Sequence, residues 1–338
     1  MQAFTQIRLL AKRYRILNGT QIMSRYFIII IPILLALSCQ PKKQWGYSDF
    51  FEQAFSIIEE RSIKKNEIDW EVLKDKVTDS IGHFQSNEDV YRALGYTIKL
   101  IDDGHSIFID AHTSSVLTAD TLIVPDIVMK IVDEDIGFIK LTGFIASVDN
   151  SRIYSRQIRE SLYELDQSSN VTGWIIDLRE NIGGLSSMMP LGLAPMFQDS
   201  LIGYRVNNKG EYISEYCSNE YYRIGNMMVK KNTCLNFSMV NKNKPIAVLI
   251  SDKTASAGET LASSFKFQDN VKTFVSPTKR LTTALELIEF KSDAKLLLAS
   301  LYLCGSDKEI IYSNIIPDIE CNSEEAFEFA KNWIKNSL

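Results

Sequence analysis

Three observations predict a layered α/β fold with a small helical N-terminal subdomain. Strand-like and helical stretches alternate from about residue 120 onward, three amphipathic helices precede them, and the composition is that of a chain with a real core. The 338 residues are 45% hydrophobic and 23% charged, enough for one large or two ordinary domains and unlike a disordered or collagenous chain.

The first helix carries Phe51, Ala54, Phe55 and Ile58 on one face behind Ser48. The second carries Trp70, Leu73 and Val77 behind Asp69, and the third Val90, Leu94, Ile98 and Ile101 behind Ser86, with Asp89 in capping-box position. Together they set a helical subdomain over 46–104 and leave 105–338 for the core. The period then changes. Leu122 to Val132 and Ile136 to Leu141 read as a hairpin about Asp133-Glu134-Asp135. A helix follows from Ser151, with Ile153, Ile158, Leu162 and Leu165 at helical spacing, then a buried strand, Gly173 to Leu178, a glycine-bearing loop and a helical run through Met188 and Met189. A hairpin turns at Asn207-Asn208-Lys209-Gly210. A strand from Pro245 to Ser251 feeds a helix from Ala257, and a helix capped by Ser323 (Ala326, Ala330, Trp333) ends the chain.

The net charge of −5 hides an asymmetry. The first 38 residues hold five basic residues and no acid, so the remainder is formally −10, which repels phosphate backbones and disfavours a nucleic-acid partner. Tyr26 to Leu37 is apolar, interrupted by Pro32 and preceded by Arg25. It is too short to span a bilayer, and its basic flank and small residues mark a secretory signal over 1–38. Met23 would open a signal of ordinary length, which leaves 1–22 open to lying upstream of the true start. Ala36-Leu37-Ser38-Cys39 resembles the bacterial lipobox, in which the cysteine becomes the acylated N-terminus; this implies a lipid anchor at Cys39 and a place in the cell envelope, facing the periplasm. Cys217, Cys234, Cys304 and Cys321 remain, an even number for an oxidising compartment. Pairing Cys217 with Cys234 and Cys304 with Cys321 closes the shortest loops, although four cysteines allow three pairings. With no CxxC and three histidines, a structural metal has little support, and no cofactor is expected.

Three segments can carry chemistry. Thr254-Ala255-Ser256-Ala257-Gly258-Glu259 joins a buried strand to a helix, exposing a serine hydroxyl next to an amide at a helix N-terminus. The same serine could simply cap the helix. A nucleophilic serine needs a base. Of the histidines, His83 lies in a polar link and His112 in a Ser/Thr-rich loop; His105 follows Asp102-Asp103-Gly104 at a helix end, where it could equally bond the last carbonyls. The third segment, Asp177-Leu-Arg-Glu-Asn-Ile-Gly-Gly184, ends a buried strand with paired glycines whose amides can face an anion. It lacks the glycine spacing of a phosphate loop.

In this order, DDGHS, DLRENIGG and TASAGE resemble the tail-specific (C-terminal processing) serine peptidase family, whose relatives include the tricorn protease core and the interphotoreceptor retinoid-binding protein modules. The resemblance spans about residues 46–322. It implies a crotonase- or ClpP-like layered αβ core, Ser256 as nucleophile, and an oxyanion hole from the amides of Ala257 and of Gly183 or Gly184. Where one branch of the family places a lysine, this chain has Leu281, with Lys279 and Arg280 out of register. The histidine-using branch fits better, with His105 as base and Ser106 and Glu309 as candidate orienting residues. Glu180 stands where the family usually has glycine and puts a charge beside the oxyanion turn. Between Phe108 and Ile136 there is no room for a PDZ domain. The resemblance implies a serine endopeptidase acting on unfolded or C-terminal segments; the alternative is a non-catalytic peptide- or ligand-binding lipoprotein on the same fold.

Overall fold

The computed structural model describes residues 46–113, 127–143, 148–168, 170–290 and 292–338. The expected signal segment, Cys39 and the first residues of the expected 122–132 strand lie outside them. Residues 47–338 form one compact unit.

Three helices come first: α1 (Tyr47–Arg61), α2 (Trp70–Ile81) and α3 (Asn87–Ile101). The starts of α2 and α3 follow the capping logic of the sequence, whereas α1 begins at Tyr47 and takes the expected cap Ser48 into its first turn. Asp69 accepts the Val72 N–H at 3.1 Å, and Ser86 accepts the Asp89 N–H at 3.2 Å, each satisfying an amide that the first turn leaves unpaired. Helix α3 ends on Asp102 in the left-handed region (φ 49°), which turns the chain into β1 (Ile107–Ile109). Then come β2 (Val128–Val132), β3 (Ile136–Lys140), α4 (Val148–Ser168), β4 (Gly173–Asp177), the short α5 (Met188–Leu193), β5 (Leu201–Asn207), β6 (Tyr212–Cys217), β7 (Tyr221–Ile224), β8 (Met227–Lys231), β9 (Ile246–Ile250), α6 (Ala257–Lys266), β10 (Val271–Val275), β11 (Thr283–Glu289), β12 (Lys295–Cys304), β13 (Ile310–Ile311), β14 (Ile319–Glu320) and α7 (Ala326–Asn336).

Two sheets result. One runs β14-β10-β9-β4-β3-β2, parallel except for the β2–β3 hairpin. Its central strands are buried on both faces, and the two-residue period sorts their side chains. Ile139, Trp174, Ile176, Ile246, Val248 and Ile250 face Tyr154, Ile158 and Leu162 of α4 and Leu261 and Phe265 of α6. Phe138, Ile175, Ala247, Leu249 and Phe274 face Ala326, Ala330 and Ile334 of α7. Ser323 does not cap α7, whose preceding residue is Glu325; its carbonyl instead accepts the Arg179 guanidinium at 2.7 Å.

The other sheet is antiparallel, in the order β1-β12-β5-β6-β7-β8, with β11 and β13 also on β12. The helical segment builds its core on this sheet: Phe51, Phe55, Ile58, Leu73, Val77, Val90 and Leu94 pack with Ile288, Leu296 and Leu298. Each such fully buried side chain contributes ~1.5–3 kcal/mol of transfer free energy.

The two expected disulfides are absent; Cys217, Cys234, Cys304 and Cys321 are free thiols. Cys304 ends β12 in the antiparallel sheet, whereas Cys321 follows β14 in the other, its amide on the Val275 carbonyl. Cys217 is buried at the end of β6, while the Cys234 sulfur faces Ser155 of α4 at 3.9 Å. Closeness in sequence did not produce either bond.

Candidate active site

Strands β4 and β9 are parallel neighbours, so the turns after them leave the same edge of the sheet, the place where α/β proteins assemble sites. The turn after β9 is pinned from below. Thr254 donates its hydroxyl to the Leu178 carbonyl and accepts the Ser251 amide, both at 2.9 Å, and the Ala255 amide donates to the Asn181 carbonyl at 2.9 Å. This leaves Ser256 at the apex with φ 51° and ψ −115°, a conformation that costs a non-glycine residue roughly 1–3 kcal/mol. Ala257, the first residue of α6, has an amide without an intrahelical acceptor.

Glu259 holds the strained turn. Buried, it accepts the Ser256 N–H (2.9 Å) and the Leu281 N–H (2.8 Å) on Oε2, and the Thr278 hydroxyl (2.5 Å) and the Arg280 N–H (2.9 Å) on Oε1. Burial raises its pKa against the pull of those four donors. The S-x-x-E spacing of Ser256 and Glu259 was a visible signal for the first of these bonds.

The DLRENIGG segment folds over the same edge. Asp177 takes the Arg179 guanidinium on both oxygens (2.9 and 2.7 Å). Asn181 is fully buried; its Nδ2 donates to the Leu141 carbonyl at 3.1 Å, and its Oδ1 accepts the Gly183 N–H at 3.1 Å. Gly183 has φ 106°, and a methyl placed on it would fall 2.9 Å from Ser256 Cβ and 3.3 Å from the Ala257 nitrogen. Glycine is thus required here both for conformation and for close approach. Of the expected oxyanion donors, the Gly183 amide is engaged by Asn181 and serves an anion only if it leaves that oxygen; Gly184 is exposed beside it. Glu180 turns outward, 3.0 Å from Lys253 at the surface, so its charge is paired there.

His105 arrives from α3. Asp103 accepts the amides of His105 (2.9 Å) and Ser106 (2.7 Å) and the Ser106 hydroxyl (2.5 Å), and Ser106 Oγ accepts the Ala299 amide of β12 at 2.9 Å. The loop is thereby stitched to β12. The buried imidazole lies with Nε2 3.1 Å from Ser256 Oγ and Nδ1 2.7 Å from Thr283 Oγ1. Burial lowers its pKa, with the Asp103 charge opposing, so the ring is neutral at pH 7. A neutral imidazole at this distance from a hydroxyl can take its proton.

The structure brings Ser256, His105, Ala257 and Gly183 together. It does not bring Ser106 or Glu309 to the ring: Ser106 Oγ is spent on Asp103 and Ala299, and Glu309 is exposed in the link between β12 and β13. Thr283, at the start of β11, stands at Nδ1 instead. Nothing in its local sequence announces this; only the antiparallel pairing of β11 with β12 carries it there. Leu281 directs its amide at Glu259, and Lys279 and Arg280 are exposed. His83 and His112 are exposed. Among the described residues no group of three or more His, Cys, Asp or Glu is placed to hold a metal ion.

Known proteins share this architecture. The chain is 24% identical over 307 residues to the nisin-resistance protein of Lactococcus lactis subsp. lactis, covering 87% of this chain and 92% of that one. A lipoprotein structure from Streptococcus agalactiae matches with a TM-score of 0.72 at 19% identity, over 87% of this chain and 97% of that one. The photosystem II D1 C-terminal processing protease matches with a TM-score of 0.56 at 13% identity, over 80% and 92%. These structures share the mixed α/β fold with N-terminal helices. The model of peptidase family S41 matches residues 135–321, from β3 past β14 and through both the glycine turn and the Ser256 elbow. More than half of its length fits that one family, and the chain belongs to peptidase family S41, whose members are serine-type peptidases acting on peptide substrates.

Proposed function

We propose that this protein is an exported, lipid-anchored serine endopeptidase that hydrolyses unfolded or C-terminal peptide segments, with Ser256 as nucleophile and His105 as base. The observation that carries the reading is the 3.1 Å approach of Nε2 to a serine hydroxyl at a strained turn beside a helix N-terminus. Ser256 Oγ attacks the substrate carbonyl carbon as its proton passes to His105 Nε2. The oxygen that gains charge lies toward the Ala257 amide and the glycine turn. The intermediate collapses by expelling the amine, which takes the proton from His105, and leaves an acyl-serine. Water attacks the acyl carbon, giving its proton to His105; the acid product departs and Ser256 is reprotonated.

The layering of a parallel sheet between helices supports a crotonase-like core for 105–338. The 18 residues between β1 and β2 leave substrate tails to be recognised by the core itself, without a PDZ domain. Anchorage through Cys39 and residence in the envelope, facing the periplasm, rest on the Leu-Ser-Cys signal, and the likeness to a streptococcal lipoprotein supports them. The likeness to a nisin-resistance protein adds nisin to the substrates to be presented.

One observation favours a non-catalytic binder: the Gly183 amide is already occupied by Asn181. A fluorophosphonate probe separates the two readings. An enzyme is modified at Ser256, and Ser256→Ala loses both labelling and hydrolysis of a casein-like substrate. A folded protein that takes up no label at any pH between 6 and 9 would reject the peptidase reading.

A further inference from the structure

A histidine that shuttles protons must be held in one orientation and one tautomer, and the group on its far nitrogen does this. In this site no carboxylate is in that position. Both oxygens of Asp103 are used by its own loop, on the amides of His105 and Ser106 and the Ser106 hydroxyl. Both oxygens of Glu259 are used on Ser256, Thr278, Arg280 and Leu281. The atom against Nδ1 is the Thr283 hydroxyl, at 2.7 Å.

The hydroxyl is placed by a rigid frame. The two residues before the Thr282-Thr283 step, Arg280 and Leu281, direct their amides at Glu259, the same carboxylate that holds the Ser256 amide. The Thr282 carbonyl accepts the Leu303 amide of β12, and Thr283 lies opposite Tyr302 in the β11–β12 ladder. Strand β12 also binds the loop of His105 through Ala299 and Ser106. Both partners of the imidazole, and the imidazole itself, are therefore fastened to one carboxylate and one strand. Threonine suits such a place better than serine, because branching at Cβ restricts its χ1.

We propose that Thr283 is a positioning residue: its hydroxyl accepts the Nδ1 proton of His105, fixes the plane of the ring and leaves Nε2 as the bare nitrogen facing Ser256. For its effect on turnover the assignment rests on the peptidase reading above; for the ring itself it does not. A hydroxyl in this role orients the imidazole without adding a negative charge beside it.

The test is nitrogen NMR of histidine-labelled protein at pH 8. The chain has only three histidines, and the His105 signals are those lost in His105→Ala. Wild type is expected to carry its proton on Nδ1. Thr283→Val removes the hydroxyl at nearly constant shape and should mix the tautomers or reverse them, while Thr283→Ser restores the wild-type spectrum. In parallel, Thr283→Val should lower kcat about tenfold, roughly 1.4 kcal/mol of barrier for one neutral hydrogen bond, with KM unmoved, and Thr283→Ser should recover most of it. A wild-type His105 protonated on Nε2 would overturn the proposal, with no variant needed. So would a folded Thr283→Val protein with unchanged tautomer and unchanged kcat. If the tautomer results hold but Ser256 never labels with fluorophosphonate, the peptidase reading falls and the placement of Thr283 stands.

Discussion

Replacing Glu259 with glutamine exchanges one carboxylate oxygen for an NH2 group and leaves the volume of the side chain unchanged. The native carboxylate receives four donors, two on each oxygen. Whichever way the amide is turned, one pair keeps an acceptor and the other pair faces N–H groups. Two buried donors left unsatisfied cost about 1–3 kcal/mol each. Removing a charge that burial already disfavours returns part of this. A net loss of about 2–4 kcal/mol is expected, which at an m-value of roughly 3 kcal/mol/M lowers the urea midpoint by about 1 M at constant m. Activity should fall further than stability does. The Ser256 amide is one of the four donors, and without its acceptor the turn loses what holds Ser256 at φ 51°. The assay is urea unfolding alongside the rate of fluorophosphonate labelling. A midpoint within 0.2 M of wild type, as an order-of-magnitude threshold, together with an unchanged labelling rate would show that the four bonds do not govern the turn.

Ser256→Gly should raise stability by roughly 1 kcal/mol in the same urea assay while losing all labelling, because glycine occupies the positive φ without strain; a less stable variant would contradict the strain argument. Gly183→Ala puts a methyl 2.9 Å from Ser256 Cβ at φ 106°, so labelling should fall at least tenfold and stability by about 1–3 kcal/mol; wild-type labelling would show that the two turns do not touch as described. The acid limb of kcat/KM should lie below the ordinary histidine value of 6.5, because burial lowers the His105 pKa. The unfolded chain then binds more protons than the native one between the lowered value and 6.5, so the contribution of His105 to stability rises with pH across that window. A limb above pH 7 would place the ring in a different environment.

Most of the frame was legible because it is written in local patterns. The inward faces of α1 to α3, the turn at 133–135 and the buried β4 and β9 follow from periodicity and turn residues. The strand-turn-helix context located Ser256, and the three spaced motifs tied it to His105. What was not legible depends on pairing between distant segments. Thr283 reaches the imidazole only through the β11–β12 register, a relation across 178 residues that no window of sequence contains. The same limit misled the pairing of Cys304 with Cys321, the one ending β12 and the other following β14 in the opposite sheet. Ser106 and Glu309 answer the serine and glutamate of the histidine-using branch without matching a motif, and the hydroxyl of Ser106 serves instead as a rivet between Asp103 and β12.

Asn181 has a bearing on when the molecule can act. Its atoms meet Leu141 just after β3, Gly183 from its own turn, Ala255 at the serine elbow and the backbone of Gly258 in α6. The stretches around 141, 181–183 and 255–258 are dozens of residues apart, and none of them can form this junction alone. On the peptidase reading proposed above, a chain that has not yet closed this junction would carry Ser256 and His105 as unconnected side chains. Hydrolysis would then wait until the last of these segments has docked.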